Sequence, residues 1–271
     1  MKRGFICILF KCEETAHCIH RKTTAETWKA CLNIAVKTFR FNNPGSRLYI
    51  FDIHDQLQTR EKEIMQQYAV VRGSGELKEA GFVSDTFNKI IALDHIGFDE
   101  TCLFDLDFVF TGPMDNIFQL VHDDLGVLDY PNYLRTENRI NSGIIVLRNR
   151  SVLEVLHRQR QCLDKSLSDE DLIDRSVSEK KLTITRLPDI YGKSKQMWWA
   201  RSAKDLTPSC ASKWVGSLSI DWSRQPPIFS LGEQRVFAWH FSSAKERMAA
   251  DPIIASYMKR IDQWFNQKTR G

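Results

Sequence analysis

The chain has 271 residues, of which 42% are hydrophobic and 27% charged, and it carries a formal net charge of +4 at pH 7. This ordinary globular balance excludes a disordered chain, and the charge is too small to indicate a nucleic-acid-binding protein. The length suffices for a sizeable core in one large α/β domain or two small ones.

The seven cysteines are scattered and form no close Cys-x-x-Cys pair. This usage is typical of reduced thiols in a cytosolic protein. A zinc site is the alternative near the N-terminus, although its spacing matches no finger pattern. Its ligands would be Cys12, His17, Cys18 and His20.

No apolar run approaches the roughly 18 residues of a membrane span. We therefore expect a cytoplasmic protein, with peripheral contact at the inner face of a membrane left open.

In the first half of the chain, short apolar runs that indicate strands alternate with segments whose apolar residues recur at helical spacing. In chain order we predict a strand at 5–10, a helix at 23–39, a strand at 47–53, a helix at 59–69, a loop at 72–77, a helix capped by Asp85, and a strand within 101–112. Thr23 and Glu26 have the spacing of a capping box at the first helix. This β-α-β-α-α-β order predicts a mainly parallel sheet covered by helices.

The second half mixes shorter elements with a stretch rich in tryptophan. Here we predict a helix at 115–121, strands at 125–129 and 143–148, a helix at 151–164, a helix capped by Ser168, a strand-like segment at 181–192, an aromatic segment at 197–224, a strand within 236–241, and a helix at 252–268. The last helix is amphipathic, and its apolar face either packs on the body of the protein or contacts a membrane surface. That face comprises Ile254, Tyr257, Met258, Ile261, Trp264 and Phe265.

Two carboxylates interrupt the apolar stretch TCLFDLDFVFTG, at Asp105 and Asp107. Unpaired buried charges are costly, and residues i and i+2 of a strand share a face, so the two groups repel unless a proton or a cation lies between them. Ligands of an open α/β sheet bind beyond the carboxyl ends of its strands, and carboxylates commonly hold Mg²⁺ or Mn²⁺ with substrate phosphates. These residues indicate a metal site; the structural alternative is a bend at the strand end with both groups in water.

The stretch LFDLDFVF superficially resembles the first motif of haloacid-dehalogenase-type phosphatases, whose first aspartate is a nucleophile and whose second is a general acid/base. That motif usually opens the chain and continues with Gly-Thr or Thr/Val. Here Phe108 follows Asp107, and the pair lies far from the N-terminus.

A second resemblance covers most of the chain. Four stretches, in the same order, resemble motifs of retaining glycosyltransferases of the GT-A fold, family 8 type, which includes glycogenin and bacterial lipopolysaccharide galactosyl- and glucosyltransferases. They are LFDLDFVF (103–110), RINSGIIVLRN (139–149), SDEDLID with RLPDIYG (168–174 and 186–192), and AWHFSSAKE (238–246). The resemblance implies a single α/β domain with a mainly parallel, twisted central sheet flanked by helices. Its parts would be a nucleotide-binding half at about 1–115, a donor-sugar and acceptor half at about 116–250, and the C-terminal helix region at 252–271.

The resemblance implies that Asp105, Asp107 and His240 bind Mn²⁺ or Mg²⁺, and the imidazole favours manganese. The ion would neutralise charge on the leaving nucleoside diphosphate. From the residues alone, the alternative is that His240 is a core histidine at the end of a strand.

The same motifs imply a set of donor-binding residues. They are Phe10, Lys11, Lys89, Asp105, Asn141, Gly143 and Lys245. The nucleobase segment at 10–13 lacks the family's residues, so the base is open and uridine is the default. Glu246 and Arg247 stand where the family has Pro-Trp, which leaves open whether Lys245 or Arg247 reaches the phosphate. Lys89 takes the place of a frequent arginine near the donor, or is a solvated helix lysine.

Asp169 and Glu170 lie at the start of a predicted helix, where the helix dipole favours acidic residues for structural reasons alone. In the resemblance, Glu170 replaces the family's glutamine beneath the anomeric carbon, where it would stabilise an oxocarbenium ion or act as a nucleophile. Asp169 would bind donor-sugar hydroxyls. Asp129 takes the place of an acceptor contact. The loop 130–141 and the tryptophan segment are further acceptor candidates, or plain core in the case of the tryptophans.

Together these features predict a metal-dependent retaining glycosyltransferase. It would move a hexose from a nucleotide sugar, by default a UDP-sugar, to a glycan, glycolipid or glycoprotein in polysaccharide biosynthesis. Two alternatives are kept: a phosphatase of the haloacid-dehalogenase type, and a catalytically degenerate protein that binds a nucleotide sugar without turnover.

Overall fold

The computed structural model describes residues 2–9, 24–52, 55–73, 88–95, 97–129, 140–162, 169–206, 215–241 and 244–268. Several predicted features lie outside these ranges. They are Phe10 and Lys11 of the nucleobase segment, the alternative zinc ligands, the helix caps Asp85 and Ser168, most of the loop 130–141, and Trp214.

The first half of the chain follows the predicted order of strands and helices, with two exceptions. Its elements are β1 (Arg3–Leu9), α1 (Ala25–Asn42), β2 (Leu48–Asp52), α2 (Thr59–Gln66), β3 (Val70–Gly73), α3 (Asn88–His95), β4 (Glu100–Phe104), β5 (Phe108–Phe110), α4 (Ile117–Leu120) and β6 (Leu125–Asp129). Strand β3 was not predicted, and two strands, β4 and β5, take the place of the one predicted within 101–112.

The second half contains the longest strand and a series of short ones. Its elements are β7 (Ile140–Leu147), α5 (Ser151–Cys162), α6 (Asp169–Ser178), β8 (Ile184–Arg186), β9 (Lys193–Ser194), α7 (Lys195–Trp199), β10 (Leu218–Asp221), β11 (Ile228–Leu231), β12 (Gln234–Arg235), β13 (Ala238–His240), α8 (Lys245–Ala249) and α9 (Pro252–Lys268).

Seven strands of the described ranges form a central sheet in the order β3-β2-β1-β4-β7-β6-β8. Strand β1 is parallel to β2 and β4, β2 is parallel to β3, and β6 is parallel to β8. Strand β7 is antiparallel to both of its neighbours, β4 and β6. The predicted mainly parallel α/β sheet is therefore confirmed, with one reversed strand inside it.

Helices cover both faces of this sheet, which explains why its strands read as continuous apolar runs. In β1, Phe5, Cys7 and Leu9 face a core shared with α1, whereas Ile6 and Ile8 face a second core. The second core is completed by apolar residues of α3, α5 and α6.

A smaller sheet, β5-β13-β9, positions part of the candidate site. Strand β13 pairs antiparallel with β5 and parallel with β9. The two registers set His240 opposite both Phe108 and Ser194. Because Asp107 directly precedes Phe108, this pairing brings Asp107 next to His240. Strands β10, β11 and β12 form a third sheet.

The two aspartates do not lie within one strand, contrary to the prediction. Strand β4 ends at Phe104, Asp105 follows it outside any strand, Leu106 and Asp107 form a turn, and β5 begins at Phe108. The apolar residues on either side of the turn belong to two different sheets. The carboxylates are therefore brought together by a turn between sheets rather than by the two-residue period of a strand.

Several element boundaries also differ from the predictions; β7, for example, begins at Ile140 instead of Gly143. The cap of α1 lies one residue later, because the Thr24 side chain accepts the N–H of Thr27 at 3.2 Å. Helix α2 ends at Gln66, three residues before its predicted end, and β3 (Val70–Gly73) begins where no element was predicted and extends into the start of the predicted loop. Strand β3 lies at the edge of the sheet and Val70 is exposed, so it lacks the apolar pattern that marks a strand.

The C-terminal helix α9 has the predicted bounds and packs on the body of the protein. Ile254, Tyr257 and Ile261 are buried, and Trp264 meets Phe41 of α1 edge-on with ring centroids 5.1 Å apart. Of the two interpretations of this apolar face, packing on the body of the protein is therefore the one that the structure favours. Among the described residues, no helix combines the length and apolarity that crossing a bilayer requires.

Candidate active site

Asp105, Asp107 and His240 form a cluster of side chains at one end of the β5-β13 pair. One ligand atom from each residue lies within 4.8 Å of the other two. The imidazole Nε2 of His240 is 3.3 Å from Asp107 Oδ1, and its ring stacks on Phe108 with centroids 4.5 Å apart. The fold thus brings together the three residues that the sequence suggested as metal ligands.

Backbone hydrogen bonds hold the turn that carries both aspartates. The N–H of Phe241 donates to the carbonyl of Asp107 at 2.8 Å, and the N–H of Asp105 donates to the carbonyl of Gly143 at 2.9 Å. One end of the turn is therefore anchored beside β13 and the other on β7. Anchoring on two sheets limits how far the carboxylates move apart.

The oxygens of Asp107 show that this cluster fits a divalent cation. Oδ2 accepts a hydrogen bond from Lys245 Nζ at 2.7 Å, whereas the buried Oδ1 accepts none from the described part of the chain, and the nearby His240 Nε2 at 3.3 Å is itself a candidate metal ligand. Burial raises the pKa of Asp107, but Lys245 and His240 outweigh burial and hold it well below its usual range. An ionised carboxylate with an unfilled buried oxygen, beside a second carboxylate and an imidazole, is a donor set that suits Mn²⁺.

Lys89 links the metal-ligand cluster to α6. Its buried Nζ lies 2.9 Å from Asp105 Oδ1, 3.0 Å from Asp169 Oδ2 and 3.1 Å from Ser142 Oγ. Burial lowers the pKa of Lys89, but Asp105 and Asp169 raise it by more, so the ammonium stays charged. Burial raises the pKa of Asp105, and Lys89 opposes that rise. The alternative interpretation of Lys89 as a solvated helix lysine is therefore wrong.

The two candidate phosphate cations of the fourth motif have different surroundings. Lys245 is buried, pairs with Asp107, and places Nζ 4.6 Å from the centroid of the Trp28 ring. Arg247 is exposed and stacks on Trp199 of α7 at 3.6 Å. Lys245 therefore belongs to the metal-ligand cluster, whereas Arg247 packs on a neighbouring helix.

Glu170 occupies the first turn of α6, beside Lys89 and β7. Its Oε1 accepts the N–H of Ser142 at 3.1 Å and lies 3.4 Å from Ser142 Oγ. Burial, and next the charge of Asp169, raise the pKa of Glu170. The side chain is only half-buried, so this carboxylate is held by β7 while still reaching solvent.

Asn141 and Gly143 shape the wall of the cluster on β7. Asn141 Oδ1 accepts the N–H of Gly143 at 2.8 Å. A Cβ atom added at Gly143 would lie 2.7 Å from that oxygen and 2.8 Å from His240 Cε1. The imidazole of His240 therefore packs against bare backbone, which explains a glycine at this position.

The predicted acceptor side is only partly described. Asp129 is exposed at the end of β6, 2.9 Å from Arg186 Nη1, and the neighbouring Leu128 pairs with Asn141. Trp198 contacts the ring of Phe241 with centroids 5.4 Å apart, which favours the core interpretation for this tryptophan. Trp222 likewise packs on apolar rings of the core.

Two residues of the site were not selected from the sequence. Ser142 contacts both Lys89 and Glu170, and its signal in the sequence is its place within the second motif, between Asn141 and Gly143. Lys195 follows Ser194, which pairs with His240, and the charge of Asp107 opposes the lowering of the Lys195 pKa by burial. No motif marks Lys195, because its place depends on strand pairing alone.

The overall arrangement is the GT-A fold of glycosyltransferases, as predicted. The chain is similar to the galactosyltransferase LgtC, solved with donor and acceptor sugar analogues, at 12% identity and a TM-score of 0.57, over 97% of this chain and 96% of that chain. It is also similar to mouse xyloside xylosyltransferase 1 (11%, TM-score 0.55, 90% and 99% covered) and to the glycosyltransferase GlyE of Streptococcus pneumoniae TIGR4 (13%, TM-score 0.60, 99% and 64% covered). No protein-family model and no curated protein matches the sequence. At these identities the likeness establishes the fold.

Proposed function

We propose that this chain is a metal-dependent retaining glycosyltransferase. It transfers a hexose from a nucleotide sugar, by default a UDP-sugar, to a glycan, glycolipid or glycoprotein acceptor. The observation that carries the proposal is the cluster of Asp105, Asp107 and His240, with one unfilled carboxylate oxygen, in a fold that the compared glycosyltransferases share. Neither the fold comparisons nor the site favours the phosphatase alternative.

The cluster and its lysines serve the leaving group. Asp105, Asp107 and His240 would hold Mn²⁺, whose chemistry is to neutralise charge on the departing nucleoside diphosphate. Lys245 keeps Asp107 ionised and oriented, because its ammonium is 2.7 Å from the carboxylate. Lys89 pairs with Asp105, its ammonium 2.9 Å from Oδ1, and so orients the second carboxylate.

The residues of β7 and α6 serve the donor sugar. Asn141 and Asp169 bind its hydroxyl groups, and Gly143 allows the imidazole of His240 to approach closely. Glu170 lies beneath the anomeric carbon. Its carboxylate either stabilises the positive charge of an oxocarbenium-like transition state or bonds to that carbon as the bond to the phosphate oxygen breaks. The Ser142 N–H holds Glu170 Oε1 in either case.

A screen of nucleotide sugars by thermal shift, with and without Mn²⁺, tests the proposal. We expect one donor to stabilise the protein only when Mn²⁺ is present, because a ligand that binds the folded state alone raises its stability. Release of the nucleoside diphosphate from that donor should be lost in Asp107→Asn. It should persist in Asp262→Asn, an exposed carboxylate of α9 that pairs with Lys37.

Other results would contradict the proposal or favour one of the alternative functions. If no nucleotide sugar stabilises the protein with Mn²⁺, the proposal is wrong. Binding without turnover across a broad acceptor panel would identify a degenerate binding protein. Hydrolysis of a sugar phosphate through an aspartyl-phosphate would identify a phosphatase.

A further inference from the structure

Lys195 lies beside the metal-ligand cluster although no sequence motif includes it. It is the first residue of α7 and directly follows Ser194, whose backbone stands opposite His240 in the parallel pairing of β9 with β13. Parallel strands end at the same edge, so the chain leaves β9 on the side of the small sheet where His240 stands. The side chain of Lys195 is half-buried, so it is neither a core residue nor a fully solvated one.

The base of Lys195 is held in place by the helix that it begins. Ser194 caps α7 by accepting the N–H of Gln196 at 3.3 Å. At the other end of α7, the indole N–H of Trp199 donates to Asp251 at 2.8 Å. A lysine on an anchored backbone presents its ammonium within a limited region, and this one starts from the residue after Ser194, which stands opposite His240.

The two buried lysines of the site already neutralise carboxylates of the protein. Lys245 pairs with Asp107, and Lys89 pairs with Asp105 and Asp169. A donor diphosphate brings further negative charge, and that charge increases by one unit when the glycosyl bond breaks. Stabilising it calls for positive charge in addition to these two lysines.

The electrostatic surroundings of Lys195 favour an incoming anion. Burial lowers the pKa of Lys195, Asp107 opposes that effect, and Lys245 lowers the pKa further. Both Asp107 and Lys245 are therefore close enough to act on the Lys195 ammonium. An ammonium that is partly desolvated and repelled by a second cation gains free energy when an anion binds beside it.

We propose that Lys195 binds the diphosphate of the nucleotide-sugar donor and stabilises the departing nucleoside diphosphate. The inference rests on the proposed glycosyltransferase function. As the bond from the anomeric carbon to the phosphate oxygen breaks, its electron pair stays on that oxygen. The ammonium of Lys195 donates a hydrogen bond to the diphosphate and keeps its proton.

Nucleotide binding to the full chain, measured by calorimetry with Mn²⁺, tests the inference. UDP, GDP, ADP and CDP, each with its monophosphate, are the probes. For the diphosphate that binds best, Lys195→Met should weaken affinity about tenfold, the effect of losing one charge-assisted hydrogen bond. The affinity for the matching monophosphate should fall by a clearly smaller factor. The dependence of diphosphate affinity on salt concentration should also become shallower.

Two further variants separate binding from structure. Lys195→Arg should restore most of the affinity because it keeps the charge, although its geometry differs. Lys259→Met removes an exposed lysine of α9 and should leave diphosphate affinity unchanged. Electron paramagnetic resonance of Mn²⁺ without nucleotide should show no weaker metal binding in Lys195→Met than in the wild type, since the three ligands are untouched and the variant removes a cation near them.

The outcomes distinguish this inference from the proposed function. If Lys195→Met binds the diphosphate as tightly as the wild type, the inference is wrong and the glycosyltransferase proposal stands. If the wild type binds none of the diphosphates with Mn²⁺, both fail. A loss that Lys195→Arg does not restore, together with a lower melting temperature, assigns Lys195 a structural role and also overturns the inference.

Discussion

At the residue scale, Gly143 is the position where a single added methyl group should disturb the metal ligands. That methyl would lie 2.8 Å from Cε1 and 3.2 Å from Nδ1 of His240. Since the imidazole must move, we expect Gly143→Ala to weaken Mn²⁺ binding by about tenfold or more, as changes next to metal ligands commonly do. Titration of Mn²⁺ by electron paramagnetic resonance measures this directly.

The matched control for this prediction is Gly97→Ala. A methyl group added at Gly97 meets nothing within 4 Å, so its Mn²⁺ affinity should equal that of the wild type. Equal affinity in Gly143→Ala and the control would argue against His240 as a metal ligand.

Glu170 should make the stability of the metal-free protein depend on pH. Its pKa is raised above 4.5 in the folded state, first by burial and then by Asp169. A carboxyl of this kind binds its proton more tightly when folded, so stability is full below the unfolded pKa and falls as pH rises through the folded pKa. Glutamine does not titrate, so Glu170→Gln does not lose stability in this way as pH rises. Its amide oxygen can still accept the Ser142 N–H. We expect the variant to gain stability relative to the wild type as pH rises above 4.5.

Urea unfolding at a series of pH values, with a chelator present, measures that difference. The gap between Glu170→Gln and the wild type should widen through the titration of Glu170 and then stay constant. A gap that does not change with pH would contradict a raised pKa for this carboxyl.

At the element scale, one buried carboxylate joins α7 to α9. Asp251 Oδ2 accepts the indole N–H groups of Trp198 at 3.2 Å and Trp199 at 2.8 Å, and Oδ1 accepts the N–H of Ile253 at 2.9 Å. In Asp251→Ala, the indole N–H groups of Trp198 and Trp199 and the Ile253 N–H at the start of α9 lose their hydrogen-bond acceptor. We expect the free energy of unfolding to fall by about 2–4 kcal/mol, measured by chemical denaturation.

The control for Asp251 lies on the same helix. Asp262 is 48% exposed and pairs with Lys37 at 2.7 Å, so Asp262→Ala should cost at most about 1 kcal/mol. Similar losses in the two variants would mean that Asp251 does not link the helices as its contacts indicate.

Several elements were predictable because their patterns are local. Helix α9 starts at Pro252 and ends at Lys268, as expected from its apolar stripe and from a proline in the first turn. Strand β3 was missed for the opposite reason. It is four residues long and half-buried at a sheet edge, so it exists because β2 offers backbone partners, and no local pattern shows that.

At the scale of the whole molecule, the two predicted halves share a core. One apolar cluster contains Phe5 and Phe104 from the central sheet, Trp239 from the small sheet, and Tyr257 from α9. We therefore expect a single cooperative unfolding transition, with the same midpoint by tryptophan fluorescence and by far-ultraviolet circular dichroism. Two separate midpoints would show that the halves unfold independently and would contradict a single domain.

The sequence by itself determined the types of the main elements and the chemistry available to the site. A continuous apolar run marks β1, because both of its faces are buried, and an apolar stripe with a period of 3.6 marks α1 and α9, because one face of each helix is buried. The motifs supply two aspartates, a histidine, a lysine and an acidic pair in an order typical of GT-A glycosyltransferases. Residue types and their spacing are properties of the chain alone.

Only the tertiary structure decided how those groups meet. It placed the aspartates in a turn between two sheets, paired Lys89 with both Asp105 and Asp169, and set Ser194, the residue before Lys195, opposite His240. It also assigned the apolar face of α9 to the core. These outcomes depend on pairing and burial between segments distant in the chain, where the free energy of a charge or an apolar face is set by its neighbours in space.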